Sequence, residues 1–350
     1  PEAQVDTAAV LALAVRIHED AELPADQRDR RDREIASTLA AESDRRQRVL
    51  AWLDAAGGEA GRQFRRHTRW AQALAAVLLG GLGLMLGGGA AAALFAYDGD
   101  QPINVTWVLA IFVGLQAITV VLSLLAMAPA GLRRAIPGWA AVQDAVLSIS
   151  PGQVMGWIGR LSPRHRQRTE LLFGRTRGWL AVFQRMMRWV LLQHGQLFGL
   201  MFNAGAMSVA VALVTTTDLA FGWSTTLEIR SSTAHAIVQA IATPWAWAWP
   251  GGLPSVDLVE MTRYYRAAGI DPTVAPQTLG GWWPFLVTAM LTYGLGPRFA
   301  LWLIARWRAR VAVHWTFDEL VKVHGLERRL SDRSTQHAAA ATSADPGQAS

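Results

Sequence analysis

The sequence predicts an all-α integral membrane protein: four transmembrane helices, a helical N-terminal region on the cytoplasmic side and a helical extracytoplasmic loop. Three observations lead there. Of 350 residues, 51% are hydrophobic and only 17% charged, where soluble domains carry roughly a quarter charged. The apolar residues are gathered into runs that reach the roughly 20 residues a helix needs to cross a bilayer. Arginines flank those runs with a consistent side bias, which is the signature of membrane topology.

The N-terminal region, residues 1–69, reads as helical. Val5 to Ile17 carries apolar residues at helical spacing, Pro24 interrupts, and a charged helix follows from about Asp26 to Leu39. Within it Arg28, Asp29, Arg30, Arg31, Asp32, Arg33 and Glu34 alternate in sign, which suits pairing along a solvated face. A third helix runs from Ser43, its expected N-cap, to Ala55, and ends before Gly57 and Gly58.

Spans one and two, residues 70–97 and 105–127, contain no charge, and a short turn with Asp98, Asp100 and Pro102 joins them. Span one is rich in glycine, and Gly83 with Gly87 forms a GxxxG spacing that lets another helix approach closely. Span three covers residues 189–214 and span four 283–305, with Arg298 the single charge in the latter. The arginine-rich segment 130–188 is divided by Pro137, Pro151 and Pro163 into two short helices and a longer one that continues into span three. Residues 306–330 form a further helix, and 331–350, rich in Ala and Ser, read as a disordered tail.

The segment 218–282 lies between spans three and four. It predicts a helix from Thr225 to Thr243, capped by Ser224 or Thr225 and stopped by Pro244. Trp245, Trp247 and Trp249 then alternate between two prolines, which places all three on one side of an extended segment. Such a cluster anchors at the membrane interface or packs as a lid over the spans. An amphipathic helix resumes from Ser255 to Ala268.

Arg62, Arg65, Arg66 and Arg69 precede span one, ten arginines lie between spans two and three, and Arg306, Arg308 and Arg310 follow span four. The 218–282 loop has only Arg230, Arg263 and Arg266 against five acids. Both termini are therefore expected in the cytoplasm. The formal charge of +6 comes from 33 basic residues, of which only Lys322 is lysine. That usage suggests a bacterial chain, hence the inner membrane, and the bias belongs to topology rather than to nucleic acid.

Arg298 is the position most open to function. It lies about four residues, roughly 6 Å at helical rise, from the middle of span four. It follows Gly294, Gly296 and Pro297, and the proline leaves the Tyr293 carbonyl without its helical partner, so a kink or break is expected. No span offers an acid to pair with it. The simpler reading is an arginine that snorkels to the headgroups and caps freed carbonyls; the sharper one is an anion site at a broken helix. In span three, Gln193, Gln196 and Asn203 share a helical face and point into the bundle, and Gln116 of span two is their expected partner. His194 could titrate, but a proton relay would need acidic partners that the spans lack.

Several short stretches together resemble a bacterial inner-membrane family catalogued as domain of unknown function 2868. They are Arg31-Asp-Arg-Glu-Ile-Ala36, Phe221-Gly-Trp-Ser-Thr-Thr-Leu227, Thr243-Pro-Trp-Ala-Trp247, Pro254-Ser255 with Thr262-Arg263, and Tyr293-Gly-Leu-Gly-Pro-Arg298. The resemblance implies a neighbouring GTP-binding protein as a partner and brings no activity with it. The chain has no cysteine and none of GxxxxGK[ST], HExxH or GxSxG, so no cofactor, metal or catalytic chemistry is expected. Two function classes remain: a non-enzymatic scaffold for a cytoplasmic partner, or a homo-oligomeric channel or transporter with a polar path along Asn203, Gln196 and Arg298.

Overall fold

The computed structural model describes residues 4–38, 44–97, 99, 101–129, 131–132, 135, 177–264, 276–326 and 329–330. The chain divides into two compact units. One comprises residues 1–75, 137–191 and 306–350; the other comprises 76–136 and 192–305. The expected helices between 136 and 176, the far end of the Ser255–Ala268 helix and the tail beyond 330 lie outside the described residues.

The first unit is built around α1 (Thr7–Glu22). Asp6 caps it, its carboxylate accepting the Ala9 N–H at 2.7 Å. Every residue from Ala8 to Val15 is buried, so the first two turns of α1 are surrounded on all sides, as an all-apolar stretch of helix must be. Its neighbours in the core come from the start of α3 (Arg45–Leu94), where Val49, Leu50, Trp52 and Leu53 turn inward. Phe183 and Met186 of α5 (Arg177–Thr216) and Val313, Phe317, Leu320 and Val321 from the last turns of α8 (Gly280–Val323) complete it.

α2 (Ala25–Thr38) corrects the expectation of a purely solvated charged helix. Asp32 is fully buried and Asp20 of α1 is 2% exposed. Arg31 grips Asp20 through two bonds of 2.6 and 2.8 Å and also donates to Asp32 at 2.7 Å. Trp52 Nε1 donates to Asp32 at 3.1 Å, and Arg329 closes the cluster on Asp32 from the C-terminal side. Arg31 and Asp32 therefore meet partners far away in sequence, because two buried carboxylates are tolerated only with such pairing, while Arg30, Arg33 and Glu34 remain on the solvated face the sequence predicts.

Burial alone would raise the Asp32 carboxyl. The hydrogen bonds from Arg31 and Trp52, with the charges of Arg329 and Arg31, outweigh it and hold the carboxyl below its usual range.

α3 is broken at Gly58, with φ 54° and ψ −152°. That left-handed backbone is open to glycine and closed to residues with a Cβ. The chain resumes as a helix after Gly58, and this second part becomes span one.

The second unit is the span bundle. Among the described residues four helices are long and apolar enough to cross a membrane: α3, α4 (Val105–Met127), α5 and α8. The chain is a multi-pass membrane protein, as its sequence predicts. Span one packs on span three through glycine. A Cβ at Gly83 would stand 2.5 Å from the Phe198 carbonyl oxygen, and one at Gly87 would fall on the backbone of Phe202. Gly205 returns the contact against Leu84. The GxxxG surface thus serves packing inside one chain.

Spans two and four each contain a π-helical stretch, Ala110–Gly114 and Met290–Leu295, and the two stretches pack on each other. The break expected at Pro297 is absent. Ala289 and Gly296, on either side of the π stretch, keep helical dihedrals, and just before the proline the ladder shifts to the wider spacing, with the Gly296 N–H reaching Leu291 O.

At the end of the bundle where α4 and α8 begin, β1 (Ile103–Asn104) pairs in parallel with β2 (Phe221–Gly222). Trp223 continues the pairing: it donates to Thr262 O at 3.0 Å and accepts from Tyr264 N at 3.1 Å. This pairing draws residues 221–223 into extended structure, so the next helix, α6 (Ser231–Ala246), starts after Arg230, six residues later than the sequence predicts. α6 also runs through Pro244, because the proline stands in its last turn, where little ladder remains to be lost. α7 (Val256–Met261) is capped by Ser255, which accepts from Leu258 N at 3.1 Å.

Two outcomes follow. Gly87→Ala should cost about 1–3 kcal/mol and weaken the span one–span three pair, whereas Gly89→Ala, with open space around the added carbon, should be tolerated; thermal unfolding in detergent separates them. Because the Asp32 carboxyl is depressed on folding, its contribution is complete above about pH 4 and is lost as pH falls through the lower folded value. Asp32→Asn should therefore lower stability by about 3 kcal/mol at neutral pH and flatten the acid limb of the melting profile. An unchanged acid limb would contradict the assignment.

Candidate functional site

Seven residues of the span bundle gather into one polar cluster: Gln116, Thr119, Ser123, Gln196, Gly199, Asn203 and Arg298. α4 presents Gln116, Thr119 and Ser123 at spacings of three and four, so they lie along one face. α5 presents Gln196, Gly199 and Asn203 with the same periodicity. α8 brings Arg298 in directly after its π stretch. Arg298 is only 7% exposed.

Arg298 does not snorkel. One terminal nitrogen donates to Gln196 Oε1 at 3.0 Å and to Ser123 Oγ at 3.3 Å, and the other donates to Thr119 Oγ1. The hydroxyls are prepared for this. Thr119 and Ser123 donate their own hydrogens back along α4, to Leu115 or Gln116 and to Thr119 respectively. Their lone pairs are left for other donors. Ser123 Oγ accepts from Gln196 Nε2 at 2.9 Å as well as from Arg298, which fills a hydroxyl's capacity of one donor and two acceptors. Among the described residues the charge is thus held by neutral dipoles. Arg298 Nε has no hydrogen-bond partner among the described residues.

The reason for that orphan lies in Gly199. Its missing Cβ would stand 3.1 Å from both Cζ and Nε of Arg298, so the guanidinium lies flat against bare backbone. A second amide bridge lies one helical step away. Asn203 Nδ2 donates to Gln116 Oε1 at 3.2 Å and to Gly199 O at 2.8 Å, joining spans two and three as the sequence predicts. The carboxamide oxygen of Asn203 occupies the position that a Cβ on Gly294 would take. The π stretch of span four therefore receives the Asn203 amide at its glycine.

Other positions named from the sequence fall outside this cluster. His194 stands two residues before Gln196, some 200° round the helix, and so faces away from Arg298. Gly296 is exposed and Pro297 half-buried, and both shape the helix without entering the network. The three tryptophans do not share a side. Trp245 is 7% exposed and packs between Phe285 and Tyr293 at 5.9 and 6.2 Å, while Trp247 is 83% exposed. In an extended strand alternate residues share a face; on the helix found here they diverge by 200°. Thr119, Ser123, Gly199 and Gly294 are the members that sequence reasoning missed. The signal available was the three-plus-four spacing of Gln116, Thr119 and Ser123.

Fold and site together define a polytopic helical membrane protein with an arginine buried among amides and hydroxyls. The chain belongs to the family described as "Protein of unknown function (DUF2868)", which matches residues 157–350. That match covers spans three and four, including Gln196, Asn203 and Arg298. No curated protein and no solved structure matches the chain.

Gly199→Ala should cost about 1–3 kcal/mol, because the new methyl displaces the guanidinium. In an Arg298→Ala background the same change should cost much less. A double-mutant cycle read by unfolding in detergent should give a coupling on the order of 1 kcal/mol or more; additivity would separate the two residues.

Proposed function

We propose that the protein is a non-enzymatic scaffold of the bacterial inner membrane, with both termini in the cytoplasm, that recruits a cytoplasmic partner. The observation that carries this reading is the first unit. Residues from both ends of the chain make a folded helical body with its own apolar core and a buried four-residue ionic cluster, Asp20, Arg31, Asp32 and Arg329. Such investment outside the spans, without a catalytic motif, suits recognition. The arginine bias of the flanks supports the orientation.

The surface best suited to a partner is a groove lined by Asp44, Arg45, Arg46, Trp315, Asp318, Glu319 and Lys322. It holds an exposed tryptophan among charges of both signs, the composition that supplies anchors and specificity at interfaces. A GTP-binding protein is the candidate partner, implied by the family resemblance. In vesicles carrying the purified protein, the partner should co-sediment in a nucleotide-dependent way. Trp315→Ala with Glu319→Arg should weaken that binding at least about tenfold, a loss of about 1.4 kcal/mol. Binding unaffected by the pair would remove this groove from the proposal, and a partner-free oligomer would sink the scaffold reading.

One observation favours the second reading, an oligomeric channel or transporter subunit: Arg298 and Asn203 form a polar seam through an apolar bundle. Flux across liposomes, abolished by Arg298→Ala, is its test.

A further inference from the structure

The loop between spans three and four contains a run that resembles no ordinary surface segment. From Ser231 to Ser255 there is no Asp, Glu, Lys or Arg, while Arg230 and Asp257 stand close outside its two ends. α6 occupies most of it. At about 24 Å of helical rise it is too short to cross a hydrocarbon core of about 30 Å, and that length range belongs to interfacial or re-entrant helices.

The level of α6 against the spans can be read from named contacts. β1 opens α4, β2 follows the end of α5, and the turn Gly280–Trp282 that opens α8 packs on β2. Trp282 Nε1 donates to Thr262 Oγ1 at 2.9 Å at the same level. These elements, with Trp282 and Trp283, mark the interfacial end of the bundle. Tyr293 lies ten residues further along α8, and its hydroxyl donates to the carbonyl of Ile241 in α6 at 2.9 Å. Allowing for a side chain that leans back toward the helix N-terminus, Ile241 lies on the order of 10 Å below that end. Trp245, seated between Phe285 and Tyr293, agrees.

From this depth and composition we infer that α6 is a re-entrant helix immersed in one leaflet, whose outward arc is covered by lipid acyl chains. Ala236, Ala240, Thr243 and Trp247 run along the middle of that arc, with Ile237 on one flank and Gln239 on the other. Three side-chain donors toward the C-terminal end of α6 are closed internally, as hydrocarbon favours. Thr243 Oγ1 donates to Gln239 O, Trp247 Nε1 to Pro244 O and Trp245 Nε1 to Gly252 O, at 3.1, 2.9 and 3.3 Å. The N–H groups of Ala248 and Trp249 both reach Trp245 O at 2.9 Å.

The absence of cysteine makes the test direct, since each introduced thiol is unique. Single variants Ile237→Cys and Ala240→Cys are compared with Leu227→Cys and Val256→Cys, whose parent side chains are 67% and 47% exposed. In opened proteoliposomes a membrane-impermeant maleimide should label Ile237→Cys and Ala240→Cys at least about tenfold more slowly, since hydrocarbon disfavours the reactive thiolate. Bimane attached at Ala240→Cys in detergent should, after reconstitution, be quenched by lipids brominated at mid-chain, and bimane at Leu227→Cys should not. Equal labelling rates would overturn the inference by placing α6 in water. Slow labelling without bromolipid quenching would overturn it by showing protein over the arc, and a disulfide between two Ala240→Cys chains would identify a second copy as that cover. The small change Ala236→Cys, on the same arc, repeats the test should Ile237→Cys misfold.

Discussion

In the hydrocarbon layer there is no water to complete a hydrogen bond, and an arginine placed there must draw its partners from the protein. Arg298 shows what that demand does to its surroundings. It requires acceptors from two other spans at the right height, which sets the register of α4 and α5 against α8. It requires hydroxyls whose hydrogens are already committed to their own helix, so that their lone pairs face outward. It also requires a neighbour with no side chain, because the guanidinium is wide and flat, and Gly199 supplies that room. The Asn203–Gln116 bridge and the glycine at 294 extend the same logic by one helical step.

The first unit answers a related problem differently. Outside the spans, charge is buried as opposed pairs: two carboxylates held between Arg31 and Arg329. Inside the spans, a single charge is held by neutral dipoles. An acid beside Arg298 would itself need desolvating, and hydroxyls or amides avoid that second penalty. Which solution appears follows from what surrounds the site.

Much of this was legible in the sequence, and the failures have physical causes. Four apolar runs flanked by arginine predict four spans because nothing else explains their length. Gln116 and Asn203 were legible because amides in an apolar run have few alternatives to each other. Thr119 and Ser123 were hidden because hydroxyls in helices commonly bond their own backbone; here they do so and still accept from Arg298. The run from Arg28 to Glu34 looked solvated because its partners, Asp20 and Arg329, are remote in sequence. The tryptophans were misread because their alternation suits an extended strand as well as a helix end, and Pro244 proved no barrier in the last turn. The π stretches left no compositional mark beyond the proline that follows one of them.

The pairing of β1 with β2 is small, yet it ties together parts of the chain made at very different times. Asn104 Nδ2 reaches the carbonyl of Ser224, 120 residues further on. At roughly 5–20 residues per second, a ribosome needs on the order of ten seconds to travel between them. During that interval Ile103 and Asn104 present bare backbone at the membrane surface, and spans two and three must both have been threaded before it can be covered. The cap is therefore a late act of biogenesis. A nascent chain halted before residue 220 would leave the strand between spans one and two still open, a ready substrate for quality control.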